Sequence, residues 1–113
     1  MAIYSNLSVD QGSTFGAEID VTDSSGDPLD LNGYTVEGQL RKTYTSTTST
    51  AFTSSVYNAA GGIVKISLNA TATNLLKAGR YVYDVEITKT STGEITRIIE
   101  GQLEVRPGVT RVN

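Results

Sequence analysis

Asp84 and Glu86 stand two residues apart in a stretch whose other alternate positions are Tyr81, Tyr83, Val85 and Ile87. Two carboxylates share acid–base work when they face each other across a cleft and one of them has a raised pKa. Here the alternation places both on the outward side of one half-buried strand, where solvent screens them. Asp23, Asp27 and Asp30 surround Gly26 and raise the question of calcium. Their spacing departs from an EF-hand loop, and a turn built on Gly26 and Pro28 with solvated carboxylates accounts for them. The chain has no cysteine and no histidine. That removes the thiolate nucleophile, the commonest base at neutral pH and the usual transition-metal ligands. The serines therefore have no imidazole to activate them. No SxxK pattern, phosphate loop or dinucleotide fingerprint is present, and Met1 precedes neither Ser nor Thr. The expectation is a protein that is not an enzyme and uses no cofactor or metal.

The 113 residues are 38% hydrophobic and 19% charged, which fits one folded domain over residues 1–113. No apolar run is long enough to cross a bilayer. The start, MAIYSNLSVDQGS, has neither a basic n-region nor an apolar h-region, so synthesis in the cytoplasm without a signal peptide is expected. A net charge of −3 and a pI of about 4.8 argue against nucleic acid as a partner. The charge is unevenly spread: Met1 to Gln39 holds seven acidic residues and no Lys or Arg, and all nine basic residues follow. Two readings stay open. Folding mixes these segments in space, or it separates them into an acidic and a basic face suited to head-to-tail contacts.

The elements that must position these groups are short and alternating. Ile3–Val9 reads as a strand, broken by Gln11-Gly12-Ser13. Thr14–Thr22 follows, with Phe15, Ala17, Ile19 and Val21 on one face and Glu18 and Asp20 on the other. Leu29 and Leu31 return the chain to the core after the Asp23–Pro28 turn. Tyr34–Lys42 is a third strand and Thr43–Thr50 a hydroxyl-rich loop. Ala51–Tyr57 and Ile63–Leu68 form a hairpin around Asn58–Gly62. Asn69–Ala78 is the one helical candidate, capped by Asn69 or Thr71, anchored by Leu75 and Leu76, and ended by Gly79. Its length suits a single turn. Arg80–Thr88 and Ile95–Val105 are the last strands, the latter with a bulge expected at Gly101. About seven strands and one short helical turn predict an all-β, antiparallel sandwich.

Within LLKAGRYVYDVEIT, Leu75, Gly79, Tyr81 and Tyr83 resemble the turn and strand F of immunoglobulin-like domains. The resemblance implies a structural corner in which the Tyr81 hydroxyl bonds back to the preceding turn. Tyr83 then takes the place of the second core cysteine. The competing reading makes Tyr81 a core aromatic of an unrelated hairpin. Four segments carry a second resemblance: LDLNGYTVEGQLRK, Ala51-Phe52-Thr53, GGIVKISLNATATNLLKAGRYVYDVEIT and EITRIIEGQLEVRPGVTR. From about Asp10 to Arg111 the chain resembles small immunoglobulin-like virion structural proteins of tailed, especially cyanobacterial, phages. It is also similar to the N-terminal module of phage baseplate upper proteins.

That resemblance implies a virion component, most simply a capsid decoration or cement module bound in many copies to a lattice. A tail or baseplate adaptor is the alternative. A carbohydrate-binding host-attachment module, displaying Tyr4, Tyr44 and Tyr57, is the reading from another class. The expected partners are other virion proteins (the major capsid protein or tail and baseplate proteins), with self-association possible. The expected contacts are the chain ends: Ile3, Tyr4 and Leu7 on an edge strand, and Val109, Arg111 and Val112 beyond the Pro107-Gly108 stop.

Overall fold

A computed structural model gives the fold of residues 3–109. Nine strands and one helix follow one another as β1 (Ile3–Tyr4), β2 (Leu7–Asp10), β3 (Phe15–Asp20), β4 (Tyr34–Arg41), β5 (Thr50–Ala51), β6 (Thr53–Asn58), β7 (Ile63–Leu68), α1 (Ala70–Leu75), β8 (Gly79–Lys89) and β9 (Glu94–Arg106). Two of them, β1 and β5, are only two residues long. The seven that remain are the strands expected from the alternation.

The strands form where alternating side chains can bury one face. In β8, Tyr83, Val85 and Ile87 are buried while Arg80 and Lys89 at its ends are exposed. In β7, Val64, Ile66 and Leu68 are buried on one side and Lys65 is exposed on the other. The helix is one short turn and a half, capped by Asn69, whose side-chain oxygen accepts from the Ala72 N–H at 2.8 Å. Two sequence expectations change here. Leu75 is 79% exposed, so Leu76, at 8%, is the sole leucine anchor of this turn. Gly79 does not end the helix. Leu76 does so in an extended conformation, and Gly79 opens β8 with φ 142°, a value that suits glycine.

The strands make two sheets. One has the order β1-β9-β8-β4-β5, with β2 also paired to β9, and the other the order β3-β7-β6. In immunoglobulin terms these are an A′GFCC′ sheet and a BED sheet. The chain is thus an all-β sandwich of immunoglobulin-like type. All pairings are antiparallel except those of β1 and β2, which run parallel to β9, with Ile3 opposite Ile99 and Leu7 opposite Leu103. Side-chain alternation specifies which face a strand buries and carries no information on strand direction, so the sequence reading missed this parallel edge. The register is the same on both sides of Ser5–Asn6, which makes β1 and β2 one interrupted strand.

The bulge in β9 also lies elsewhere than expected. Val85 faces Ile99 and Glu86 faces Arg97, which leaves Ile98 as the extra residue. The bulge lets Ile98 and Ile99, neighbours in sequence, both be buried. Gly101 instead sits in regular register opposite Tyr83. One core cluster joins the sheets, with Val9, Leu31, Leu40, Val64, Ile66, Val85 and Leu103 at 1% exposure or less. Each such side chain contributes about 1.5–3 kcal/mol by leaving water. Phe52 lies 6.2 Å from both Phe15 and Tyr83, edge-on to the latter, and so ties the two sheets together.

Candidate assembly interface

Two tyrosines of β8 tie that strand to other parts of the chain. The Tyr81 hydroxyl donates to the Lys77 carbonyl at 2.8 Å, bridging the turn four residues back. Lys42 Nζ sits 5.0 Å from the centre of the Tyr81 ring. Tyr83 reaches further. Its hydroxyl donates to the Ser5 carbonyl at 2.6 Å. The path passes over Gly101, where a Cβ would lie 2.0 Å from that same oxygen. Burial pushes the Tyr83 hydroxyl up to about 12. Asn6 completes the junction by accepting from the Gln102 N–H at 3.1 Å. These contacts fix the interrupted N-terminal strand against β9.

That placement leaves one side of the sandwich open. β1 and β2 form the edge of one sheet and β3 the edge of the other. Between them runs a cleft of about 130 Å³ lined by the apolar Ile3, Val21, Leu29, Ile87 and Ile98 and by the polar Asp20, Thr22 and Thr96. The Val21 N–H donates to Gly62 O at 2.7 Å. Pleating then turns the backbone groups of Ala17 and Ile19 toward β7 as well. Those of Gly16, Glu18 and Asp20 point away from the sheet, and among the described residues no strand pairs with them. Glu18 and Asp20 are exposed, a charged border of the kind that keeps an open edge from random pairing.

The sequence-expected contact residues divide around this wall. Ile3 lines its cleft, and Ile3 and Tyr4 are 55% and 63% exposed. Leu7 is half-buried and packs against the core, so it anchors the edge rather than displaying it. Val109 is exposed at the far end. Arg111 and Val112 lie outside the described residues. The edge of β3 was not anticipated. Its only sequence signal was the pair of charges, Glu18 and Asp20, on the outward positions of an otherwise apolar alternation.

The groups weighed for chemistry are dispersed. Asp84 is ion-paired to Arg97 at 3.2 Å, and Arg97 also meets Glu100 at 3.3 Å on the outer face of the larger sheet. The Asp23 carboxylate accepts from the Ser25 and Asp27 N–H groups at 2.9 and 3.1 Å, which closes its own turn. Tyr4 lies on the β1 edge and Tyr44 on the β4–β5 loop. Tyr57 lies on the smaller sheet, with Lys65 Nζ 5.6 Å from its ring centre. The three rings thus form no shared platform. Charges of both signs mix on the sheet faces: Glu18 stands opposite Lys65 and Arg80 opposite Glu104.

No protein-family model matches the sequence, and no curated protein matches it. Solved structures share its fold. The chain is similar to the NK cell receptor NKp44 over 94% of its own length and 99% of that chain, at 13% identity and a TM-score of 0.50. It is similar to InlP of Listeria monocytogenes over 93% of its length, at 15% identity and a TM-score of 0.50. The chain spans only 28% of the InlP chain. At such identities the likeness is one of fold: an immunoglobulin-like β-sandwich.

Proposed function

We propose that this chain is a non-catalytic structural protein of a phage virion, a decoration module that docks on a repeating lattice of capsid protein. The observation that carries the assembly reading is the open wall. An unpaired strand edge, a small cleft of mixed apolar and polar lining beside it and a charged border are the features by which one sheet accepts an extended segment of another chain. Main-chain bonds to Gly16, Glu18 and Asp20 supply affinity. An apolar side chain entering between Ile3 and Val21 supplies register, and basic residues beside Glu18 and Asp20 supply selectivity. The virion setting rests on the sequence resemblance described above. A tail or baseplate site would use the same wall.

The test replaces Glu18 by proline. The Glu18 N–H points outward, so proline removes no bond within the sheet and is tolerated on an edge. The variant is expected to melt within a few degrees of wild type and to be depleted from purified virions, as quantified by mass spectrometry. Normal incorporation removes the wall as the interface. Absence of the wild-type chain from purified virions removes the virion reading itself.

A further inference from the structure

The strand axis of this sandwich is electrically polar. The 13 residues of β9 span about 43 Å at about 3.3 Å per residue, which matches the longest dimension of the molecule, 44 Å. At one end lie the β3–β4 loop and the β8–β9 turn, joined by the Thr90 hydroxyl, which donates to Gly33 O at 2.8 Å. That end carries Asp23, Asp27, Asp30 and Glu94, all exposed, against one exposed cation, Lys89. At the other end the β4–β5 loop meets the α1–β8 connection around a cleft of about 400 Å³. Arg41, Lys42, Lys77, Thr48, Thr50 and Tyr81 line it, and no carboxylate does.

No carboxylate among the described residues forms an ion pair with these cations. Among the described residues the ion pairs are those of Arg97 with Asp84 and Glu100, and of Arg106 with Glu104. Arg41 donates to Ser46 O at 2.8 Å and to Gln39 Oε1 at 3.0 Å, which braces the loop while leaving its charge unmatched. The cleft therefore offers two lysines, a fixed guanidinium and threonine hydroxyls to an anion. The opposite pole offers carboxylates on a projecting turn whose backbone is already closed by Asp23. Neither face of the sandwich has this one-sided character, because both signs occur on each sheet.

We infer that the cleft bounded by Lys42 and Lys77 receives the Asp23–Asp30 turn of a second copy of this chain, stacking copies head to tail along the strand axis. Such a contact is heterologous: each copy uses one pole to give and the other to receive, and repetition extends the array until a ring closes or a lattice stops it. The interaction is electrostatic and exposed, so it is weak in solution and falls with ionic strength. It engages the poles and leaves the open wall free. Its success or failure is therefore independent of docking at β3.

Sedimentation velocity of the full chain tests it. Wild type is expected to show concentration-dependent association at about 20 mM salt that vanishes at about 500 mM. Lys42→Glu/Lys77→Glu, and separately Asp23→Asn/Asp27→Lys, are each expected to weaken association about tenfold or more. The asparagine keeps the oxygen that closes the turn, and circular dichroism and melting curves check both folds. Each variant retains one native pole, so their equimolar mixture is expected to regain association that neither variant shows alone. Wild type that stays monomeric at low salt overturns the inference. So does association that both variants retain. So does a cleft that binds an anionic glycan or oligonucleotide through Lys42 and Lys77 while copies fail to associate.

Discussion

The Tyr83 hydroxyl and the Ser5 carbonyl are 78 residues apart in sequence and 2.6 Å apart in space. The bond crosses β9 at its only glycine, Gly101, so three strands are fastened at one point. This junction holds the interrupted N-terminal strand where it can form one side of the open wall.

Gly101→Ala is therefore expected to be costly. The new methyl group would lie 2.0 Å from Ser5 O, and the obstacle is backbone, which no rotamer change relieves. Overpacking of this kind costs about 2–3 kcal/mol. Urea melts measure the loss. Limited proteolysis is expected to cleave first near Ser5, because the strand must lift to make room. Combined with Tyr83→Phe, the loss should fall short of the sum, since both changes act on one junction. Strict additivity would show that the two residues act separately.

Tyr83 also predicts a response to alkali. Its hydroxyl is pushed up to about 12 by burial, against an ordinary 10. A raised pKa in the folded state means that the unfolded chain loses this proton first. The stability linked to Tyr83 is thus complete below pH 10 and declines as pH rises from about 10 to about 12. Denaturant melts of wild type and Tyr83→Phe across this window separate the effect from other titrations: wild type is expected to lose more stability than the variant. Parallel curves would contradict it.

At the corner, Tyr81→Phe removes the bond to Lys77 O and is expected to destabilise by about 1 kcal/mol. Tyr44, 75% exposed on the β4–β5 loop, has no such bond, and Tyr44→Phe should change stability by only a few tenths of a kcal/mol. Equal effects in paired melts would mean that the Tyr81 bond contributes nothing net to the fold.

What the sequence showed and what it hid follow from the range of each interaction. Strict alternation in Arg80–Thr88 and Ile63–Leu68 marked both strands and their buried faces, because burying one face is a local demand. Asn69 announced its cap because the oxygen and the N–H are three residues apart. The parallel edge and the Ile98 bulge were not legible, since each depends on a partner strand nearly a hundred residues or a full hairpin away. Gly101 was marked as unusual for the wrong reason: a glycine in a strand signals a bulge or a close approach alike, and only the fold tells which. The free edge of β3 was hidden for the same cause. A strand's own residues do not reveal that its neighbour has gone to the other sheet.

The chain beyond β9 tests how far packing extends. The Gly108 N–H donates to Gln11 Oε1 at 3.2 Å. Gln11 Nε2 donates to Leu76 O at 2.7 Å, and the Gln11 N–H donates to Arg106 O at 2.9 Å. One glutamine thus ties the β2–β3 turn to the helical connection and to the end of β9. Val109, just past it, is 93% exposed. Deleting Val109 to Asn113 is expected to leave the melting temperature within a few degrees of wild type. Gln11→Ala should cost about 1–2 kcal/mol, because it leaves two part-buried backbone partners unmatched. The two changes also separate the candidate contacts. If the terminal segment meets the lattice, the truncated chain is depleted from virions although stable. If the wall alone does, the truncated chain incorporates fully while Glu18→Pro does not. A large drop in melting temperature on truncation would show instead that the residues past Gly108 belong to the packed fold.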